Sequence, residues 1–278
     1  MNDIALQAFL DAQQRIEATF AVQPRDKLTA LVMGVAGTGK TTLATTCPKP
    51  VLLDCFDEGG WRTAELRPYI ERKEILVRVY DKDTWQHPQT FEQWRTDTQK
   101  LRSSGFFNFI GTYILDSFTS WSRMLMYEVI KHSKNPTKDH TPGISDYKVQ
   151  LFNVLDLINN MMSLPCNVLM TAHLSKEIDQ LNGGTEFIID APPAQRSDIP
   201  NAFLEKWVMR IVQEGGKTKH KLQLYGDGQY RCGTRIGTRT TFEQLEEPDV
   251  KAIMRKAGLD PSDKVVNQAV PLDSIANK

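Results

Sequence analysis

The chain has 278 residues, and 34 Lys and Arg are balanced by 34 Asp and Glu, for a formal net charge of zero. That length suits one sizeable α/β domain with small terminal additions. A neutral chain has no global positive field to announce a nucleic-acid partner, so basic groups that meet one must be concentrated locally.

In chain order, residues 3–20 read as a helix, with Ile4, Phe9, Ile16 and Phe20 among its apolar positions, and Pro24-Arg25-Asp26 breaks the pattern. Strand-like apolar runs follow at residues 29–33, 51–54, 112–115 and 167–171, with a fifth at 75–80. Between them, residues 91–101, 118–130 and 147–162 have helical spacing. In the last of these Tyr147, Leu151, Val154, Leu155, Ile158 and Met162 share one face. Strands alternating with helices predict βαβ units and a mainly parallel sheet. Beyond Pro200 the runs at 207–213 and 220–225, separated by Gly215-Gly216, predict antiparallel hairpin strands at one edge of that sheet. A short helix near 249–257 precedes a polar tail. This divides the chain into an N-terminal helix and linker (1–27), a core (28–245), and a short helix with tail (246–278). The cysteines Cys47, Cys55, Cys166 and Cys232 form no C-x-x-C pair, which argues against zinc or a disulfide framework. The N-terminus lacks a basic, then apolar, leader, and no apolar run nears the roughly 20 residues of a membrane span. The expectation is a soluble, cytoplasmic protein without membrane contact.

Gly34-Val35-Ala36-Gly37-Thr38-Gly39-Lys40-Thr41 matches G-x-x-x-x-G-K-[ST] in full, directly after an apolar strand, with Thr42 following. Glycines let the backbone curl so that successive N–H groups face a β-phosphate. Lys40 places a charge between the β- and γ-phosphates, the Thr41 hydroxyl ligates Mg²⁺, and a helix starting at Lys40 is expected to add its positive end. ATP and Mg²⁺ are therefore the expected ligands. Thr112-Tyr113-Ile114-Leu115-Asp116 is an apolar strand ending in aspartate, the form of a Walker B motif, with Asp116 as the Mg²⁺ carboxylate; capping the next helix is the alternative role. Ser117 occupies the next position, where many ATPases carry a catalytic Glu. The water-orienting base must then come from elsewhere, and the glycine-rich turn Asp57-Glu58-Gly59-Gly60 offers Glu58, with Asp57 as competitor.

Strand, phosphate loop, short Pro-clipped helix, a strand ending in Glu-Gly-Gly and a Walker B strand ending Asp-Ser together resemble the RecA family of ATPases. The likeness is greatest to phage-encoded RecA-like single-strand annealing ATPases, and it spans residues 28–242. The resemblance implies a RecA-like P-loop core, Glu58 as catalytic base, and a polar sensor at the end of the next core strand, here His173 where Gln is common. It also implies a ring or filament of this chain around single-stranded DNA, gripped by loops at residues 131–146 and 174–200. Lys131, Lys134 and Lys138 are the basic candidates in the first loop, whereas the second is acidic and a poor phosphate binder. A cationic finger from a neighbouring subunit is expected among Lys219, Lys221, Arg231 and Arg235. The implied function is ATP hydrolysis coupled to single-stranded DNA in phage recombination or replication. The alternatives are a nucleotide switch that recruits partners without remodelling DNA and a small-molecule kinase; the latter calls for an arginine-rich lid, and the basic segment before Asp146 contains no arginine.

Overall fold

The structure, a computed structural model, describes residues 7, 9–15, 27–80, 83–133, 141–178 and 184–264. Its centre is a nine-stranded sheet. In chain order the strands are β1 (Thr29–Gly34), β2 (Val51–Cys55), β3 (Ile75–Val79), β4 (Thr112–Asp116), β5 (Asn167–Ile178), β6 (Thr185–Ile189), β7 (Glu205–Glu214), β8 (Lys217–Gln223) and β9 (Leu245–Glu246). They lie in the order β3-β2-β4-β5-β1-β7-β8-β9, with β6 paired to β5. From β3 to β7 every neighbour is parallel. The pairs β7–β8, β8–β9 and β5–β6 are antiparallel. This is a mainly parallel α/β fold of the RecA-like P-loop type, with antiparallel strands at its C-terminal edge.

The apolar runs of β1, β2 and β4 are nearly continuous because both faces of the sheet are covered. One face packs under the helices α2 (Thr90–Ser103), α3 (Phe118–Lys131) and α4 (Ile144–Met162), contributing Leu31, Tyr113 and Met170 to a core that holds Trp94 and Trp121. The opposite face, with Val32, Leu53 and Trp207, is covered by the turn after the phosphate loop and by a C-terminal helix (Val250–Lys256). Two shorter helices, α1 (Arg67–Glu71) and α5 (Gln195–Asn201), lie at the edges of these layers in the chain order α1 to α5.

Asp54 of β2 points into the first core and is fully buried. The Arg78 guanidinium on β3 donates to both its oxygens at 2.7 Å, and Trp94 Nε1 and Tyr113 Oη donate at 2.9 and 2.7 Å. One bond to Oδ1 and three to Oδ2 satisfy the carboxylate, as its burial requires. Asp54 is thereby committed to the core.

Three elements differ from the sequence expectation. The described part of 174–200 is not one loop: β5 runs on to Ile178, β6 pairs antiparallel with it, and the helix Gln195–Asn201 follows. Pairing with β6 and docking on residues 229–231 give this segment a frame that no local pattern announced. Phe187 stacks on Tyr230 at 4.7 Å, and Arg231 pairs with Glu186. The helix expected from Lys40 is only a 3₁₀ turn, Thr41–Thr46, closed off by Pro48 and Pro50. So short a turn brings little helix dipole to the loop. Of the N-terminal helix, residue 7 and residues 9–15 are helical and exposed, and the rest of 3–20 lies outside the described residues.

Candidate nucleotide site

Strand β1 ends at the phosphate loop, with Val35, Ala36 and Gly37 exposed and Thr38 and Lys40 buried. Gly34 cannot carry a side chain: a Cβ there would lie 2.6 Å from Thr38 Oγ1 and 2.9 Å from the Met209 carbonyl. Gly39 adopts φ +88°, a conformation that side chains disfavour. The Thr38 hydroxyl donates to the Val35 carbonyl at 2.9 Å. Lys40 Nζ crosses the loop and donates to the carbonyls of Gly34 and Val35 at 2.9 and 3.0 Å. Burial lowers the pKa of this ammonium, and the nearby Asp116 and Asp57 carboxylates oppose that shift. A cation centred over the loop and held by neutral carbonyls fits a polyphosphate as a stronger partner.

Parallel pairing brings Gly34 level with His173 and Cys55 level with Asp116, so the ends of β1, β2, β4 and β5 meet along one edge. Asp116 lies there, 1% exposed. Thr41 Oγ1 donates to its Oδ2 at 2.6 Å, and Thr171 Oγ1 donates to its Oδ1. Burial raises the Asp116 pKa, and the two hydroxyls hold it back. Asp116 therefore joins the Thr41 hydroxyl instead of capping α3. These two hard oxygen donors fit Mg²⁺, which takes one or two protein ligands and completes its shell with phosphate and water. No group of three or more His, Cys, Asp or Glu suited to a metal gathers among the described residues, and Mg²⁺ needs none.

The turn after β2 is clamped beside this pair. Asp57 accepts from Ser117 Oγ at 3.0 Å, from Ser120 Oγ, and from His173 Nε2 at 2.9 Å. Burial works against its ionisation, but the hydrogen bonds from His173 and the serines outweigh it and hold the carboxyl below the usual range. At the other end of the turn, a Cβ on Gly60 would lie 3.5 Å from Asp116 Oδ2 and 3.8 Å from Thr41 Oγ1, so its backbone abuts the proposed Mg²⁺ ligands. Glu58 sits between these anchors with its side chain exposed. His173 is thus in the site, bonded to Asp57, while its backbone N–H donates to Thr119 Oγ1 at 3.1 Å.

Three of the four finger candidates are paired with acids within the chain. Lys219 pairs with Glu214, Lys221 with Glu247 and Glu214, and Arg231 with Glu186. The Arg235 backbone N–H donates to Glu205 at 2.7 Å. Lys131 lies at the end of α3, 3.3 Å from the Pro88 carbonyl, and Lys134 and Lys138 lie outside the described residues. Thr42 follows the loop, half-buried.

Sequence reasoning passed over Thr171, Ser120 and His220. Thr171 was within reach, because it lies two residues before His173 on a strand and so shares its face. His220, which donates from Nδ1 to the Thr38 carbonyl at 2.9 Å, depends on a hairpin register that the sequence does not display.

No helix among the described residues is long and apolar enough to cross a membrane. No curated protein matches the sequence. Among solved structures, a KaiC-like protein from the hyperthermophilic archaeon Pyrococcus horikoshii OT3 matches at 12% identity and a TM-score of 0.40, over 76% of this chain and 83% of that one. The family model described as an AAA domain matches residues 26–221, from the approach to β1 into β8 and well over half of the chain. The Lys40 loop and the carboxylates that face it fall within that span, and the chain belongs to this AAA family of P-loop ATPases.

Proposed function

We propose that the chain hydrolyses Mg²⁺-ATP with Glu58 as general base, and that this cycle governs its hold on single-stranded DNA in a ring or filament of identical subunits. One observation supports the hydrolytic part above all: the turn at 57–60 is fixed at both ends against the site, yet presents one carboxylate with no hydrogen-bond or ion-pair partner among the described residues. Asp57 accepts from three donors and its pKa is lowered, which makes it a poor proton acceptor. Glu58, exposed, accepts from no group among the described residues and is available to water. Asp57 and His173 then act as positioning residues that set the height of the turn above Thr41 and Asp116. Lys40 neutralises charge on the transferred phosphoryl group. Mg²⁺ held at Thr41 and Asp116 would supply further charge neutralisation and orient the phosphates.

The DNA part rests on the RecA-like resemblance and on the lysines that begin at Lys131, and its phage recombination setting on that resemblance alone. A finger in trans from Lys219, Lys221 or Arg231 has first to leave its intrachain acid, for which assembly supplies a competing partner, whereas Arg235 is tied to Glu205 through its backbone alone.

Two measurements test the proposal. Glu58→Gln should bind ATP normally and hydrolyse it about 10²–10⁴-fold more slowly. Wild-type turnover in Glu58→Gln, with none in Asp57→Asn, moves the base by one residue. Single-stranded DNA should raise the hydrolysis rate; hydrolysis indifferent to DNA, with no strand binding, favours the nucleotide switch.

A further inference from the structure

Strand β8 reaches across to the phosphate loop at a single point. His220 lies opposite Ile211 in the β7–β8 hairpin, and its Nδ1 is 2.9 Å from the Thr38 carbonyl oxygen. A carbonyl only accepts, so Nδ1 carries the proton, as it does in one neutral tautomer and in the imidazolium. The contact is close: a Cβ built on Gly39 would lie 3.5 Å from His220 Nδ1 and 3.6 Å from Met209 Cε.

The Thr38 carbonyl and the Gly39 N–H belong to one rigid, planar peptide unit and point to opposite sides of the chain. Fixing the carbonyl outward on His220 therefore fixes the N–H on the other side, toward the interior of the loop. Gly39 has φ +88°, and glycine there has the least steric resistance to rotation of this unit, so the loop itself holds the peptide weakly. The Thr38 side chain does not do so, since its hydroxyl is spent on the Val35 carbonyl.

We infer that His220 is a positioning residue for nucleotide binding, which orients the Thr38–Gly39 peptide so that the Gly39 N–H is preset to donate to the β-phosphate. The inference rests on the nucleotide reading of the loop and adds to it a residue from outside the motif. His220 touches no phosphate itself. It lowers the ordering cost of one donor in the cradle, so it favours ADP and ATP alike.

The experiment is calorimetric titration of ADP with Mg²⁺ into the full chain as wild type, His220→Ala and His220→Asn. Asparagine places an amide N–H close to the position of Nδ1 and retains the bond. His220→Ala should weaken ADP binding about 2–12-fold, the range of one hydrogen bond. His220→Asn should stay within about twofold of wild type, because it keeps that bond. In steady-state hydrolysis, His220→Ala should raise KM more than it lowers kcat. Equal ADP affinity in wild type and His220→Ala overturns the inference, as does an equal loss in both variants, which marks simple packing. Failure of the wild type to bind ADP overturns the nucleotide reading itself, and this inference with it.

Discussion

Lys40 and Asp116 carry opposite charges in a place that strips water from both, and burial shifts each toward its neutral form. For Asp116 the sign is definite. A carboxyl raised in the folded state binds its proton more tightly there, so its contribution to stability is full below the unfolded value of about 3.9 and is lost as pH rises through the folded pKa. At neutral pH the ionised side chain therefore costs stability. Asp116→Asn should melt higher than wild type at pH 7 without nucleotide, the gap should close as the pH falls into the acid range, and Mg²⁺-dependent ATP binding should vanish. Thermal scans across pH, with and without Mg²⁺-ATP, check this; a lower melting point at pH 7 means that the Thr41 and Thr171 hydrogen bonds outweigh burial. At this scale the sequence was readable wherever chemistry is contiguous. The residues from Gly34 to Thr41 announce themselves because a phosphate needs adjacent backbone groups. Thr171 and His220 do not, since they reach the site through strand pairing across 55 and 182 positions.

Between β1 and β2 the chain makes one 3₁₀ turn where a helix from Lys40 was expected. Its carbonyls are therefore capped from beyond its end. Lys49 Nζ donates to the Ala44 and Thr45 carbonyls at 2.6 and 3.0 Å and lies 5.1 Å from the centre of the Tyr69 ring. Burial lowers its pKa, so this charge is maintained at a cost. Lys49→Met keeps the stem and removes both donors, leaving two carbonyls poorly satisfied. It should destabilise the protein by about 1–3 kcal/mol in urea unfolding. A change below about 0.5 kcal/mol means that water or the backbone replaces the cap. Elements buried on both faces, such as β1 and β4, were legible as apolar runs, and α4 as a helix, although its buried side also takes in Asp146 and Gln150 and leaves Tyr147 exposed. The β5–β6 hairpin was not, because Lys176, Glu177 and Glu186 read as a polar loop. Only pairing with β6 and the contacts at Tyr230 and Arg231 make that polar stretch a strand.

Seen whole, the neutral chain gains little strand affinity from its net charge. Lys131, Lys134 and Lys138 form the basic cluster proposed to meet DNA. Each phosphate neutralised on a single strand contributes about −0.7 to the slope of log affinity against log salt. Replacing all three with Ala should weaken binding across sequences and flatten that slope by roughly two units, while nucleotide binding without DNA stays intact. Salt titrations of strand binding measure it, and an unchanged slope moves the contact elsewhere on the molecule. The Asp54–Arg78 pair also has a meaning at this scale. Strand β3 pairs with β2 alone among the described residues, so its outer row of N–H and C=O groups borders solvent and is a template for a stray strand. A guanidinium turned inward from such a border, and anchored by two bonds to a buried acid, makes extension of the sheet unfavourable, because an added strand would have to bury its own side chains beside that charge. The bond that steadies the core thus also guards the flank against fibrous growth.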